Sequence, residues 1–246
     1  ASKIAGDKAD VYNLIPTGQE AHHWEPSTED MKKLEKADML VTNGAGFESW
    51  TDKLSDSISN DKLVIVDTSA GIELLPSSHS HDDEDEHDEE DHDEDEHDEE
   101  EEHHDEEEEH EHSHGAYDPH VWTSIKNAKI QMENIKNALV SADSDNKDYY
   151  EANYTKWAAE LDKLDNEYAD GLANVKDKTI VVSHQAFGYL CRDYGLNQVG
   201  ISGITPDTEP DPARMVEIVD LVKEKGITTI FFEELATTKV ADAIRS

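Results

Sequence analysis

Through residues 27–76 the apolar positions switch back and forth between helical and extended spacing. The stretch 27–37 (STEDMKKLEKA) opens on a Ser-x-x-Asp cap and predicts a helix, and 38–44 (DMLVTNG) predicts a buried strand. The pattern repeats, with a helix over 47–60 and a strand over 62–69, so this half predicts βα units on a parallel sheet. After Pro76 the pattern stops, and it returns with helical spacing over 123–140. A second helix is predicted over 146–175, where Tyr150, Tyr154, Trp157, Leu161, Leu164, Tyr168, Leu172 and Val175 follow in steps of four and three as one stripe. At about 1.5 Å per residue it reaches about 40 Å, long enough to serve as a strut between two lobes. Strand, helix and strand then follow over 179–184, 186–194 and 196–204. Asp211 and Pro212 make an N-cap and first-turn pair for a helix to Lys225, Gly226 ends it, 227–235 is the next buried strand, and 237–246 opens another helix.

The expected fold class is therefore α/β, with two lobes of parallel-type sheets and flanking helices joined by one long rigid helix. The expected division is an N-terminal lobe over 1–143, a linking helix over 144–175 and a C-terminal lobe over 176–246. Residues 77–116 are set apart as an insert.

That insert changes the picture. Residues 79–114 contain only Asp, Glu, His and two Ser. With no apolar side chain to bury, such a run cannot offset its own ordering entropy and is expected to be disordered. What remains is chemistry: His79, His81, His87, His92, His97, His103, His104, His110, His112 and His114 are spread among 24 carboxylates. Imidazole and carboxylate are two of the usual zinc ligand types, and recurrence every few residues lets a flexible chain wrap a divalent ion. The plainer reading is a solvating acidic spacer.

The formal charge of -39 comes largely from this run, and outside it 36 acidic and 21 basic residues remain. Such a field repels nucleic acid and anionic lipid and concentrates cations, so a nucleic-acid partner is excluded. The lone Cys191 rules out an internal disulfide or a CxxC site within this chain. No 18-residue apolar run is present, and ASKIAGDKAD at the start has neither a basic nor an apolar leader region. The expectation is a soluble chain, with any membrane attachment made through an anchor outside it.

Four His lie outside the insert: His22 and His23 in GQEAHHWEPS, His120 in YDPHVW and His184 at the end of a predicted strand. None belongs to an HExxH pair, so the helix-borne zinc-protease arrangement is absent. Strand ends of parallel sheets gather ligands, Pro119 fixes the backbone before His120, and Trp122 offers an apolar wall. Singly, each His reads equally well as a structural residue. Together, three His in three ordered loops point to one convergent site for a borderline-soft ion. The 209–212 stretch (EPDP) reads most simply as a helix start, and Glu233–Glu234 as a salt-bridge pair, as groups behind the ligands or as ligands.

The segments IAGDKADVYNLIPTGQEAHHWEPS, VTNGAGFESW, DPHVW, VVSHQAFGYL and GITPDTEPDPARMVEIVDLVKEKGITTIFFEELATTKVA occur here in one order. In them the chain resembles the zinc-specific solute-binding proteins of bacterial ABC importers, the ZnuA and AdcA type. The likeness covers nearly everything except the insert, and the family often carries a His- and acid-rich loop in the same place. The resemblance implies two lobes with metal in the cleft between them, ligands at His22, His120 and His184, and His23 at a variable position. Asp118 and Glu233 are candidates to stand behind the ligands. Relatives selective for manganese have Glu where this chain has His184, so the cargo expected is Zn²⁺, as ligand softness also argues.

The resemblance further implies an extracytoplasmic, periplasmic or lipid-anchored monomer that hands its ion to an ABC permease and is not an enzyme. It also implies that the chain lacks an opening strand and its closing elements, with any fourth ligand beyond Ser246 and any partner of Cys191 among the missing elements. Three readings stand beside this one: a manganese or other divalent-metal protein, a metal-dependent or calcium-binding surface adhesin, and a zinc hydrolase using an open fourth position.

Overall fold

Ser27 starts the first full helix as its sequence requires. Its hydroxyl accepts from the Asp30 amide while the Asp30 carboxylate accepts from the Ser27 amide, a closed capping box. The computed structural model describes residues 1–77, 116–206 and 212–233. In chain order its elements are α1 Ser2–Ala5, α2 Thr28–Leu34, β1 Met39–Thr42, α3 Leu54–Ser57, β2 Val64–Asp67, α4 Ile125–Ala142, α5 Lys147–Leu172, β3 Thr179–Val182, α6 Gly188–Tyr194, β4 Asn197–Gly200, α7 Pro212–Lys225 and β5 Ile230–Phe231. The insert lies outside the described residues, as do 207–211 and 234–246 with the Asp211 cap and the expected last helix.

Two parallel sheets carry the two lobes. In one, β1 pairs with β2 in the register Met39 to Val64 through Thr42 to Asp67; in the other the order is β4, β3, β5, all parallel. The first lobe closes over Leu34, Leu40 and Leu54, and the second over Val181, Ile201 and Ile218, packed by Met215, Val219 and Val222 of α7. Parallel strands need crossover connections, which is why helices alternate with strands throughout.

The long helix is present, one turn shorter than its stripe. It runs antiparallel to α4, as the pairs Lys129 with Asp162 and Lys136 over the Tyr154 ring show. Its first half is well covered: Tyr150 is fully buried, and α1 packs beside it, with Lys3 over the Trp157 ring and Asn153 donating to the Ile4 carbonyl. Its second half departs from the expected continuous stripe, because Leu164 and Tyr168 are exposed. There the helix runs beside α6, where Tyr194 donates to Asp165 at 2.7 Å and stacks near Tyr168.

A second departure falls at 47–60, predicted as one helix. The chain makes a 3₁₀ segment over Ser49–Lys53 and then the single turn α3. Ser and Thr side chains compete for the backbone here: Thr51 donates to the Glu48 carbonyl and Ser57 to that of Lys53. The four-residue α1 was not legible at all, being too short to display a period.

Candidate metal centre

The loops that leave the carboxyl ends of β1, β3 and β5 gather at one place, the usual ligand edge of a parallel sheet. His184 stands two residues beyond β3 and Glu233 two beyond β5. The loop after β1 is NGAGF, residues 43–47, with Gly44, Ala45 and Gly46 all at positive φ. Gly44 is obligatory there, since a Cβ would lie 1.7 Å from Asp67 Oδ1.

His120 arrives from the chain that follows the insert. The two roots of the insert pair antiparallel, with a bridge between Pro76 and Tyr117, Ser77 N–H donating to the Ala116 carbonyl at 3.0 Å and Asp118 N–H to that of Leu75 at 2.8 Å. From this ladder the chain passes through Asp118 and Pro119 to His120, which is 1 % exposed. Asn43 Nδ2 holds the Pro119 carbonyl at 2.8 Å. His22 comes from the loop before α2, where one carboxylate sets the turn: Glu20 accepts from the amides of His22 at 2.8 Å and His23 at 3.1 Å. His23 is exposed and lines an open groove with Glu20, Trp24 and Glu25 instead of joining the other rings.

Three rings converge. His120 Nε2 lies 3.2 Å from His22 Nε2 and 3.3 Å from His184 Nε2, and the ligand nitrogens of all three residues fall within 4.8 Å of one another. Tetrahedral zinc with N ligands at 2.0–2.1 Å places neighbouring nitrogens about 3.3–3.4 Å apart, so two edges of the triangle already have that length. The far sides of two rings are held by carboxylates. Asp118 Oδ1 sits 2.7 Å from His120 Nδ1 and also accepts the His120 amide at 2.9 Å. Glu233 Oε1 lies 2.7 Å from His184 Nδ1, at an angle short of a straight hydrogen bond. A carboxylate at Nδ1 assigns the proton to that nitrogen and turns the Nε2 lone pair into the centre. Two lone pairs then face each other at 3.3 Å, an arrangement that a cation stabilises.

The surroundings of His22 and His184 favour the neutral imidazole. Burial pushes His22 down to about 4, helped by the neighbouring His120 and opposed by Glu20. Burial also lowers His184, with Glu233 opposing. Phe47 packs edge-on to His22 at 5.0 Å, and Trp122 contacts both Phe47 and His120 at 5.3 Å, closing one side with apolar surface. Among the described residues, His22, His120 and His184 are the only such cluster of metal-binding side chains. Cys191 lies buried and free in α6, its thiol pushed up to about 11 by burial and so protonated.

The sequence model of one family, ZnuA, the periplasmic component A of a zinc-uptake complex, matches residues 1–246. The chain belongs to the ZnuA family. It is 40 % identical to the high-affinity zinc uptake system protein ZnuA of Bacillus subtilis over 244 residues, covering 99 % of this chain and 70 % of that protein. It is 37 % identical to the zinc-binding lipoprotein AdcA of Streptococcus pneumoniae over 98 % of this chain, and spans 44 % of that longer relative. The crystal structure of the Zn(II)-bound ZnuA-like domain of the same AdcA superposes with a TM-score of 0.74 at 33 % identity, covering 99 % of this chain and 77 % of that one. Its two-lobed α/β architecture is thus the family's.

Several groups around the centre had no reading in the sequence. Glu20 lies in the E-x-H motif, but only the structure shows its carboxylate spanning two amides. Asn43, which the sequence places near the end of the strand predicted over 38–44, reaches across to the His120 loop. The ten His of the insert, with Glu209, Pro210, Asp211 and Glu234, lie outside the described residues.

Proposed function

We propose that this chain captures Zn²⁺ in the cleft between its lobes, with His22, His120 and His184 as ligands, and delivers it to an ABC permease. The observation that carries this reading is the meeting of three Nε2 atoms at 3.2 and 3.3 Å, with Asp118 and Glu233 standing at the Nδ1 atoms of two of the rings. An all-nitrogen set suits zinc and disfavours manganese, which prefers oxygen. Water or a carboxylate completes the fourth position. The protein acts outside the cytoplasm as a monomer, in keeping with its family's periplasmic description.

Capture fits better than catalysis. Among the described residues, the carboxylates next to the three rings are turned to other tasks: Glu20 accepts two backbone amides, and Asp118 and Glu233 each set one oxygen against an imidazole Nδ1. The His-rich insert serves as a weak collector, because its roots at Pro76 and Tyr117 are tied beside the His120 loop.

Isothermal titration of zinc into His22→Ala, His120→Ala and His184→Ala tests the assignment. Each substitution should weaken the tight site by orders of magnitude. Unchanged tight binding in all three would overturn it.

A further inference from the structure

A regular antiparallel pair of residues exchanges two backbone hydrogen bonds. At the root of the insert, Leu75 and Asp118 exchange only one directly, from Asp118 N–H to the Leu75 carbonyl at 2.8 Å. The return bond is broken open by a side chain from the other lobe. Leu75 N–H donates to the Tyr189 hydroxyl at 3.1 Å, and that hydroxyl donates to the Asp118 carbonyl at 2.6 Å. Tyr189 is 0 % exposed, in α6, five residues after His184, and its ring packs with Ile72 and Val121. The neighbouring α6 residues reinforce the contact. Gly188 stands so near Asp118 that a Cβ would come within 2.8 Å of Oδ2, Arg192 donates to the Glu73 carbonyl at 3.2 Å, and Ser124 bonds Asp193.

We infer that Tyr189, with Asn43 opposite it, is a positioning residue for the His120 ligand: the two side chains hold the consecutive carbonyls of Asp118 and Pro119 from opposite lobes. This rests on His120 being a zinc ligand. The inserted hydroxyl holds Asp118 away from Leu75 by the width of an oxygen. Asp118 is the residue that orients the His120 ring, so this offset is transmitted to Nε2. Without the hydroxyl, Leu75 N–H and the Asp118 carbonyl can bond directly, and the loop that carries His120 shifts towards Leu75. Because His184 and Tyr189 share one lobe, the same contact fixes the spacing between two ligands contributed by different lobes.

The test compares Tyr189→Phe with Tyr194→Phe in the full chain. Tyr194→Phe also removes a hydroxyl from α6, but one bonded to Asp165 and not to the ligand loop. Tyr189→Phe is expected to weaken zinc about tenfold, to speed zinc release by a similar factor, and to shift the ligand-field bands of the Co²⁺-loaded protein. Tyr194→Phe should leave all three unchanged. If Tyr189→Phe does not fold, Asn43→Ala carries the test with the same readouts. Wild-type affinity, release and Co²⁺ spectrum in the folded variant would overturn the inference, as would an equal loss in Tyr194→Phe. Loss of tight binding in His120→Ala alongside a wild-type Tyr189→Phe would sink this inference alone, whereas unchanged binding in His120→Ala would sink the ligand assignment beneath it.

Discussion

Two of the three imidazoles at this centre have a carboxylate standing behind them. Asp118 gives His120 its tautomer and its basicity, and the basicity alone is lost, separately from the fold, if only the charge is removed. Asp118→Asn can still accept the His120 amide and ring proton through Oδ1, so the protein should fold with a similar melting temperature while zinc affinity falls about 10–100-fold in a chelator-competition assay. Protons compete at the same nitrogens. His22 is lowered from 6.5 to about 4 in the folded state, so between those values the unfolded chain binds more protons than the folded one. Stability of the metal-free protein should therefore rise with pH across that window and fall as pH drops from about 6.5 towards 4, as urea denaturation at stepped pH can follow. For the same reason zinc binding should persist below pH 6.5, where an ordinary imidazole is already mostly protonated. The three His that cluster here were legible in the sequence because each sits in a short motif at a loop or strand end. Glu20, Asn43 and Tyr189 were not, because their roles are backbone contacts, and Asn43 and Tyr189 make theirs across 76 and 71 residues of chain.

Among the elements, apolar period and capping chemistry placed the strands and the longer helices within a few residues, and the Ser27 box fixed the start of α2. They failed where side chains bond their own backbone, at 49–57, and where burial depends on a partner unseen in the period, at Leu164 and Tyr168. The loop after β1 is the element most exposed to damage. Gly44 has φ +83° and no room for a methyl group beside Asp67. Gly44→Ala should cost at least about 1–3 kcal/mol in chemical denaturation, from left-handed strain alone. Zinc affinity should fall with it, since Asn43 and Phe47 on the same loop touch the His120 loop and His22.

At the scale of the molecule, charge and architecture are separable. The -39 formal charge belongs largely to residues 79–114, a run without a single apolar side chain. Deleting residues 79–114 should leave one tight zinc site, abolish the weak ones seen by titration, and change the melting temperature little. Loss of the tight site on deletion would show that the segment, not the cleft, is the principal binder. The weak sites should also fade with added salt before the tight one does, since exposed charges are screened and buried ligands are not.

The paired roots at Pro76 and Tyr117 make that segment a socket. Since the chain is already closed across its base, lengthening the peptide between costs only about 0.6 kcal/mol per doubling. The scaffold can therefore carry an insert of almost any length or composition, and swapping in a Cys-rich or a purely acidic run should change which ions that segment binds while the cluster of His22, His120 and His184 keeps its own preference.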